Sequence, residues 1–110
     1  MNTLTLTELA ARLEAPARPI LVEALPARYY DQGHLPAAVN INVGEVRDKA
    51  PTLLPDKSAP IVVYCASETC TNSHQVAVQL AALGYGDVQV FAGGKAEWEA
   101  SGRPFAGMAA

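Results

Sequence analysis

Ile61-Val62-Val63-Tyr64-Cys65-Ala66-Ser67-Glu68-Thr69-Cys70-Thr71-Asn72-Ser73-His74 passes from a β-branched apolar run, through a short polar loop, into a segment with helical spacing. Residues 61–64 are continuously apolar, which suits a strand covered on both faces. Beyond the loop, Val76, Ala77, Leu80, Ala81 and Leu83 mark one face of a helix that Gly84 or Gly86 closes. Both cysteines of the chain lie in the loop. A thiol between a buried strand and a helix N-terminus stands where a thiolate is best stabilised, so Cys65 is the candidate nucleophile, with a thiol pKa lowered by the helix.

The same alternation continues on either side. Residues 2–4 suit a short edge strand. Thr5 and Glu8 have capping-box spacing, and Leu6, Leu9, Ala10 and Leu13 recur as a helix that stops near Glu14, ahead of Pro16 and Pro19. Ile20-Leu21-Val22 is a second buried strand, and Pro26 opens a short helix carrying Tyr29 and Tyr30 (one exposed, one packed) that Gly33 ends. Residues 39–42 alternate as a strand, 44–49 give a helical turn or two, and 51–60, polar with three prolines, read as an exposed loop. Residues 87–91 alternate as a strand. A turn at Ala92-Gly93-Gly94 leads into a helix at 95–100 anchored by Trp98, and the tail to Ala110 is loose. Strand and helix in alternation predict an α/β fold, a parallel sheet with helices on both faces and right-handed crossovers. In such sheets the ligand crevice lies at the carboxyl ends of the strands, where Cys65 falls.

Composition bounds the reading. The 110 residues predict one domain, 1–110, with its core at about 4–104. Half the residues are apolar, which argues against disorder, and the formal charge of −3 argues against a nucleic-acid partner. No apolar run reaches the ~20 residues that cross a membrane. Two close cysteines without a visible secretory signal point to the reducing cytoplasm, where such a pair serves catalysis, redox or metal binding rather than stapling.

Three stretches, in order, resemble the rhodanese-like family: Tyr30-x-x-Gly33-His34-Leu35-Pro36-Ala37-Ala38-Val39-Asn40-Ile41, then Ile61-Val62-Val63-Tyr64-Cys65 with its loop and helix, then Gly93-Gly94-x-x-x-Trp98-x-x-x-Gly102-x-Pro104. The resemblance implies a three-layer sandwich around a mostly parallel five-stranded sheet. It implies a sulfurtransferase in which the thiolate matching Cys65 takes a sulfane sulfur as a persulfide and passes it to a nucleophilic acceptor. It also implies that amides of the loop 66–71 (Ala66, Ser67, Glu68, Thr69, Cys70, Thr71) converge on the sulfur as the substrate-binding loop, and that no metal or organic cofactor is used. The partners implied are a small donor (thiosulfate, a persulfide or polysulfide) and a thiol or partner-protein acceptor.

Two positions depart from the pattern. The family's loop ends in arginine, where this chain has Cys70, and many relatives have Asp-Val-Arg where this chain has Glu23-Ala24-Leu25. Losing a cation about 4 Å from an anion costs on the order of a few kcal/mol, which argues against thiosulfate as the preferred donor. Cys70 is a candidate resolving thiol that attacks a Cys65 persulfide, the alternative being a small helix-start residue without chemistry. A second functional reading is a thiol redox, sensing or partner-binding module using Cys65 and Cys70 without efficient thiosulfate turnover. Phosphatase chemistry, which needs a longer loop ending in arginine, is disfavoured, and so is a zinc site from Cys65, Cys70, His34 and His74, whose spacing fits no standard pattern. His34 reads best as a loop-fixing hydrogen-bonding group, Ser67 and Thr69 as hydroxyls available to bound sulfur, and Thr71 or Ser73 as the helix N-cap. Lys95 reads as a solvated lysine, or less simply as a replacement for the missing charge.

Overall fold

Residues 2–107 are described by a computed structural model. Five short strands form one sheet: β1 (Thr3–Leu4), β2 (Ile20–Glu23), β3 (Val39–Asn40), β4 (Ile61–Tyr64) and β5 (Val88–Phe91), in the order β1-β5-β4-β2-β3. All pairings are parallel. Five helices connect or follow them: α1 (Leu6–Glu14), α2 (Ala27–Asp31), α3 (Val46–Leu53), α4 (Asn72–Ala82) and α5 (Gly94–Ala100). The tail at 108–110 lies outside the described residues.

The central strand shows why the pattern folds this way. Side chains alternate across a strand, so β4 sends Ile61 and Val63 to one face and Val62 and Tyr64 to the other. Ile61 and Val63 meet Val46, Ala50 and Leu54 from around α3, with Val76, Ala77 and Leu80 of α4. Val62 and Tyr64 meet Leu9 of α1, Trp98 of α5 and Phe91. All four β4 side chains are fully buried, and each of the three aliphatic ones is worth about 1.5–3 kcal/mol. The register sets Glu23, Tyr64 and Phe91 level, so the loops after β2, β4 and β5 open side by side at one end of the sheet.

Local signals act as expected in α1, where Thr5 Oγ1 accepts from the Glu8 amide (3.1 Å) and Glu8 returns the bond to the Thr5 amide (3.0 Å). Three expectations need correction. Residues 51–53 are helical rather than loop: α3 runs through Pro51, because Val46, Ala50 and Leu54 form a buried stripe and packing overrides local propensity. The Tyr85 hydroxyl donates to the carbonyls of Ala50 (3.2 Å) and Leu54 (2.6 Å), serving the end of that helix. Along α4 the buried stripe is Ser73, Val76, Ala77 and Leu80, and Ala81 is exposed. The strand expected at 39–42 is only two residues long, since Asn42 already opens a 3-10 turn at Val43–Glu45. Among the described residues no helix is long and apolar enough to cross a membrane.

Candidate active site

Cys65 follows β4 directly and points to the α3/α4 side of the sheet, where it is 1% exposed. Its backbone is held by α5: the Lys95 amide donates to the Cys65 carbonyl and the Ala96 amide to the Ala66 carbonyl, both at 2.9 Å. These are otherwise unpaired first-turn donors, so the clamp satisfies the helix start and fixes the loop together. Gly94 makes the approach possible. It sits at φ +60°, and a Cβ there would overlap the Cys65 carbonyl oxygen.

The loop folds over the sulfur. The Cys70 amide donates to the Ser67 carbonyl (3.1 Å), closing a turn. Ser67 and Thr69 bond each other's hydroxyls at 3.0 Å, so neither hydroxyl is aimed at the thiol. The Cys65 thiol faces the Cys70 carbonyl at 3.4 Å, the Ser67 carbonyl at 3.9 Å and the Ser73 hydroxyl at 3.4 Å. The Ser73 amide also points to the sulfur, and the Cys70 side chain lies against it. Cys65 and Cys70 lie 2.8 Å apart. Ala66, Glu68, Thr69 and Thr71 are exposed, whereas Ser67 and Cys70 are half-buried.

The thiol's acidity differs from expectation. Burial pushes the Cys65 thiol up, and contact with the Cys70 thiol adds to the rise; the Ser73 hydroxyl and amide pull it down. The helix start does favour the thiolate, but a sulfur without water, facing two carbonyl oxygens, pays more for charge than one amide and one hydroxyl return. Ser73 is the residue the sequence reading misplaced. Thr71, not Ser73, stands at the N-cap position, and its hydroxyl accepts from the Gln75 side chain (3.0 Å) instead of capping the backbone. Ser73 is buried against the thiol, and its spacing of three and four from Val76 and Ala77 is the signal that places it inward.

Charge beside the loop is arranged away from the sulfur. Glu23 is fully buried at the end of β2, accepts from the Tyr64 hydroxyl (2.8 Å) and pairs with Lys95 at 3.2 Å. Lys95 also donates to the Tyr29 carbonyl (2.9 Å), so it is neither solvated nor a substitute cation at the loop: it neutralises Glu23. Leu25 is buried in the core. His34 contacts the Tyr30 carbonyl through Nδ1 (3.0 Å) and stacks on the Tyr30 ring at 3.8 Å, contacts that fix its own loop. No three His, Cys, Asp or Glu side chains among the described residues converge as metal ligands would. A groove of about 440 Å³ runs beside the loop, lined by Ser67, Glu68, Thr69, Gly93, Ala96 and Glu97.

Residues 5–101, which span the parallel sheet, the cysteine loop after its central strand and the helix that clamps it, match the family model of the rhodanese-like domain. The chain belongs to the rhodanese-like family. Its fold superposes on the crystal structure of the Alr3790 protein of Anabaena sp. with a TM-score of 0.81 and 30% identity, over 96% of this chain and 80% of that one. A thiosulfate sulfurtransferase of Pseudomonas aeruginosa gives a TM-score of 0.76 at 25% identity, over 94% of this chain but 19% of that protein. In sequence, the rhodanese-like chain is 33% identical over 103 residues to the HTH-type transcriptional regulator Rv0324 of Mycobacterium tuberculosis. That match takes in 94% of this chain and 44% of the regulator, so the chain spans less than half the length of this curated relative.

Proposed function

We propose that this rhodanese-like domain is a sulfurtransferase that carries a sulfane sulfur as a persulfide on Cys65 and passes it to a thiol or other nucleophilic acceptor. The observation that supports this most is the seat of the Cys65 sulfur, between the loop and the Ser73 amide and hydroxyl at the start of α4. Cys65 thiolate attacks the outer sulfur of a donor persulfide; the donor's S–S bond breaks and its thiolate leaves. An acceptor thiolate then attacks the outer sulfur on Cys65, and the Cys65 sulfur leaves as the thiolate. The Ser73 amide and hydroxyl stabilise the charge on the Cys65 sulfur in both steps.

Charge around the loop argues against thiosulfate as donor. Loop residues 66–71 contain no cation, Glu68 adds an anion, and Glu97 joins it on the groove. A dianion near these carboxylates meets repulsion on the order of 1–4 kcal/mol per pair at about 4 Å, across the range from bulk water to protein surface. The acceptor is a thiol of a small molecule or of a partner protein.

The test is a donor panel of thiosulfate, glutathione persulfide and polysulfide, given to the wild type and Cys65→Ser. The expected result is sulfur transfer from the persulfide donors that vanishes in Cys65→Ser. Equal transfer by both proteins refutes the proposal. The likeness to a transcriptional regulator supports a second reading, a sensing or partner-binding module built on Cys65 and Cys70. Under that reading sulfur donors change the cysteines once per chain without turnover, even with excess acceptor thiol.

A further inference from the structure

We infer that Cys70 resolves the Cys65 persulfide within the chain, releasing the sulfane sulfur as sulfide and leaving a Cys65–Cys70 disulfide, so that the domain acts as a persulfide reductase. This rests on the persulfide reading above and adds to it a fate for the sulfur.

Accessibility and contact carry the argument. Cys65 is 1% exposed, enclosed by the Ser67 and Cys70 carbonyls and by Ser73, so dissolved donor and acceptor alike reach it only as the loop shifts, whereas Cys70 is already beside it. Cys70 is half-buried, packs against the same cluster as Cys65, and its thiol already touches the Cys65 thiol. A thiol held in contact competes with dissolved thiols through its effective concentration, which for well-placed groups far exceeds any cellular thiol level. The link between the cysteines is four residues long; α5 holds it at Cys65 and Ala66, and beyond Ala66 the backbone bond that closes it, Cys70 to Ser67, lies within the loop itself. Sulfur–sulfur bonding therefore requires a shift of the loop without disturbing β4 or α4.

The site of attack follows from the contact. Cys70 meets the Cys65 sulfur itself, so its thiolate attacks that inner atom after giving its proton to solvent. The new bond joins Cys70 to Cys65; the bond from Cys65 to the outer sulfur breaks, and the outer sulfur leaves as HS⁻ with the proton it carried. The two cysteine sulfurs together lose two electrons and the sulfane sulfur gains them. No cation in 66–71 holds the departing anion. A small thiol or dithiol reduces the disulfide and closes the cycle.

The full chain, fully reduced, is mixed with glutathione persulfide, and released sulfide and the non-reduced protein mass are followed together. In the wild type we expect a burst of about one sulfide per chain and a Cys65–Cys70 disulfide, seen as the loss of two hydrogens. In Cys70→Ser we expect one added sulfur retained on Cys65 and a burst at least about tenfold smaller until thiol is added. A wild type that keeps a stable Cys65 persulfide, with neither burst nor disulfide, overturns the role of Cys70 while leaving the persulfide reading intact. Absence of sulfur uptake by both proteins overturns the two together. Because the wild type alone yields the deciding product, the outcome does not depend on the folding of any variant.

Discussion

Removing the charge of Lys95 tests how this family member holds its cysteine loop. Glu23 is fully buried, and its carboxylate is neutralised by an ammonium 3.2 Å away whose side chain is 17% exposed. At an effective dielectric of about 20 that pair is worth about 5 kcal/mol of Coulomb energy. The partial hydration of Lys95 reduces this, and the Tyr64 hydroxyl stays on Glu23 when the lysine is gone. Breaking a buried pair by removing one partner costs about 3–5 kcal/mol, so Lys95→Met, which keeps the aliphatic stem, is expected to cost about 3 kcal/mol. For a chain of this length that lowers Tm by about 10–20 °C. The double variant Glu23→Gln/Lys95→Met should recover most of the loss, because no unpaired charge remains. Urea unfolding of the wild type, both singles and the double gives the cycle, with an interaction energy of at least about 2 kcal/mol expected. A loss below about 1 kcal/mol for Lys95→Met with an unchanged m value, or strict additivity across the cycle, refutes the account of Glu23 as a carboxylate dependent on Lys95.

The thiol's acidity gives a second expectation: alkylation of Cys65 by iodoacetamide, followed by peptide mass, should rise with pH through a midpoint above that of an ordinary thiol. Ser73→Ala removes a group that lowers that midpoint, so it should move higher still; an unchanged or lower midpoint contradicts the assigned contact. The sign for stability follows: with the folded-state value raised, the thiol form contributes fully below the unfolded thiol pKa, and stability falls as pH rises above it. Ala37 sits at φ +66° on an exposed turn, a conformation costing a non-glycine residue about 1–2 kcal/mol, so Ala37→Gly should stabilise by about 0.5–1 kcal/mol in denaturant unfolding after the entropy of the unfolded glycine is subtracted. Gly94→Ala forces a side chain against the Cys65 carbonyl at a positive φ and should cost at least about 2 kcal/mol. Its loss should also bring faster Cys65 alkylation at fixed pH, as the clamped loop opens.

The fold was legible where local and global signals agree. The β4 run and the Thr5/Glu8 box each say in a few residues what the tertiary structure then uses. Residues 51–53 misled because proline and polar neighbours speak first, while the buried stripe of Val46, Ala50 and Leu54 is spaced across them. The site was legible as a position, the end of the central strand, but its contacts were not. Ser73 looked like a cap by residue type, although its helical phase with Val76 and Ala77 points it inward. Lys95 looked solvated because its partner, Glu23, is 72 residues away in sequence, a pairing that only the sheet register and the α5 clamp create.

The same long-range pairing bears on how the cysteine loop keeps its shape. Lys95, whose backbone holds the loop, has its ammonium bound to Glu23. Its amide holds the Cys65 carbonyl while its ammonium holds a carboxylate, so one residue joins β2 to the cysteine loop through α5. Order in the loop is thus supplied from the backbone side, and the face toward solvent is left to Ser67, Glu68, Thr69 and the half-buried Cys70. A loop shaped from behind does not need an anion in front to organise it. The two groups part in their expected effects: Lys95→Met lowers stability while keeping the amide that holds Cys65, whereas Cys70→Ser changes the fate of the sulfur with little effect on stability.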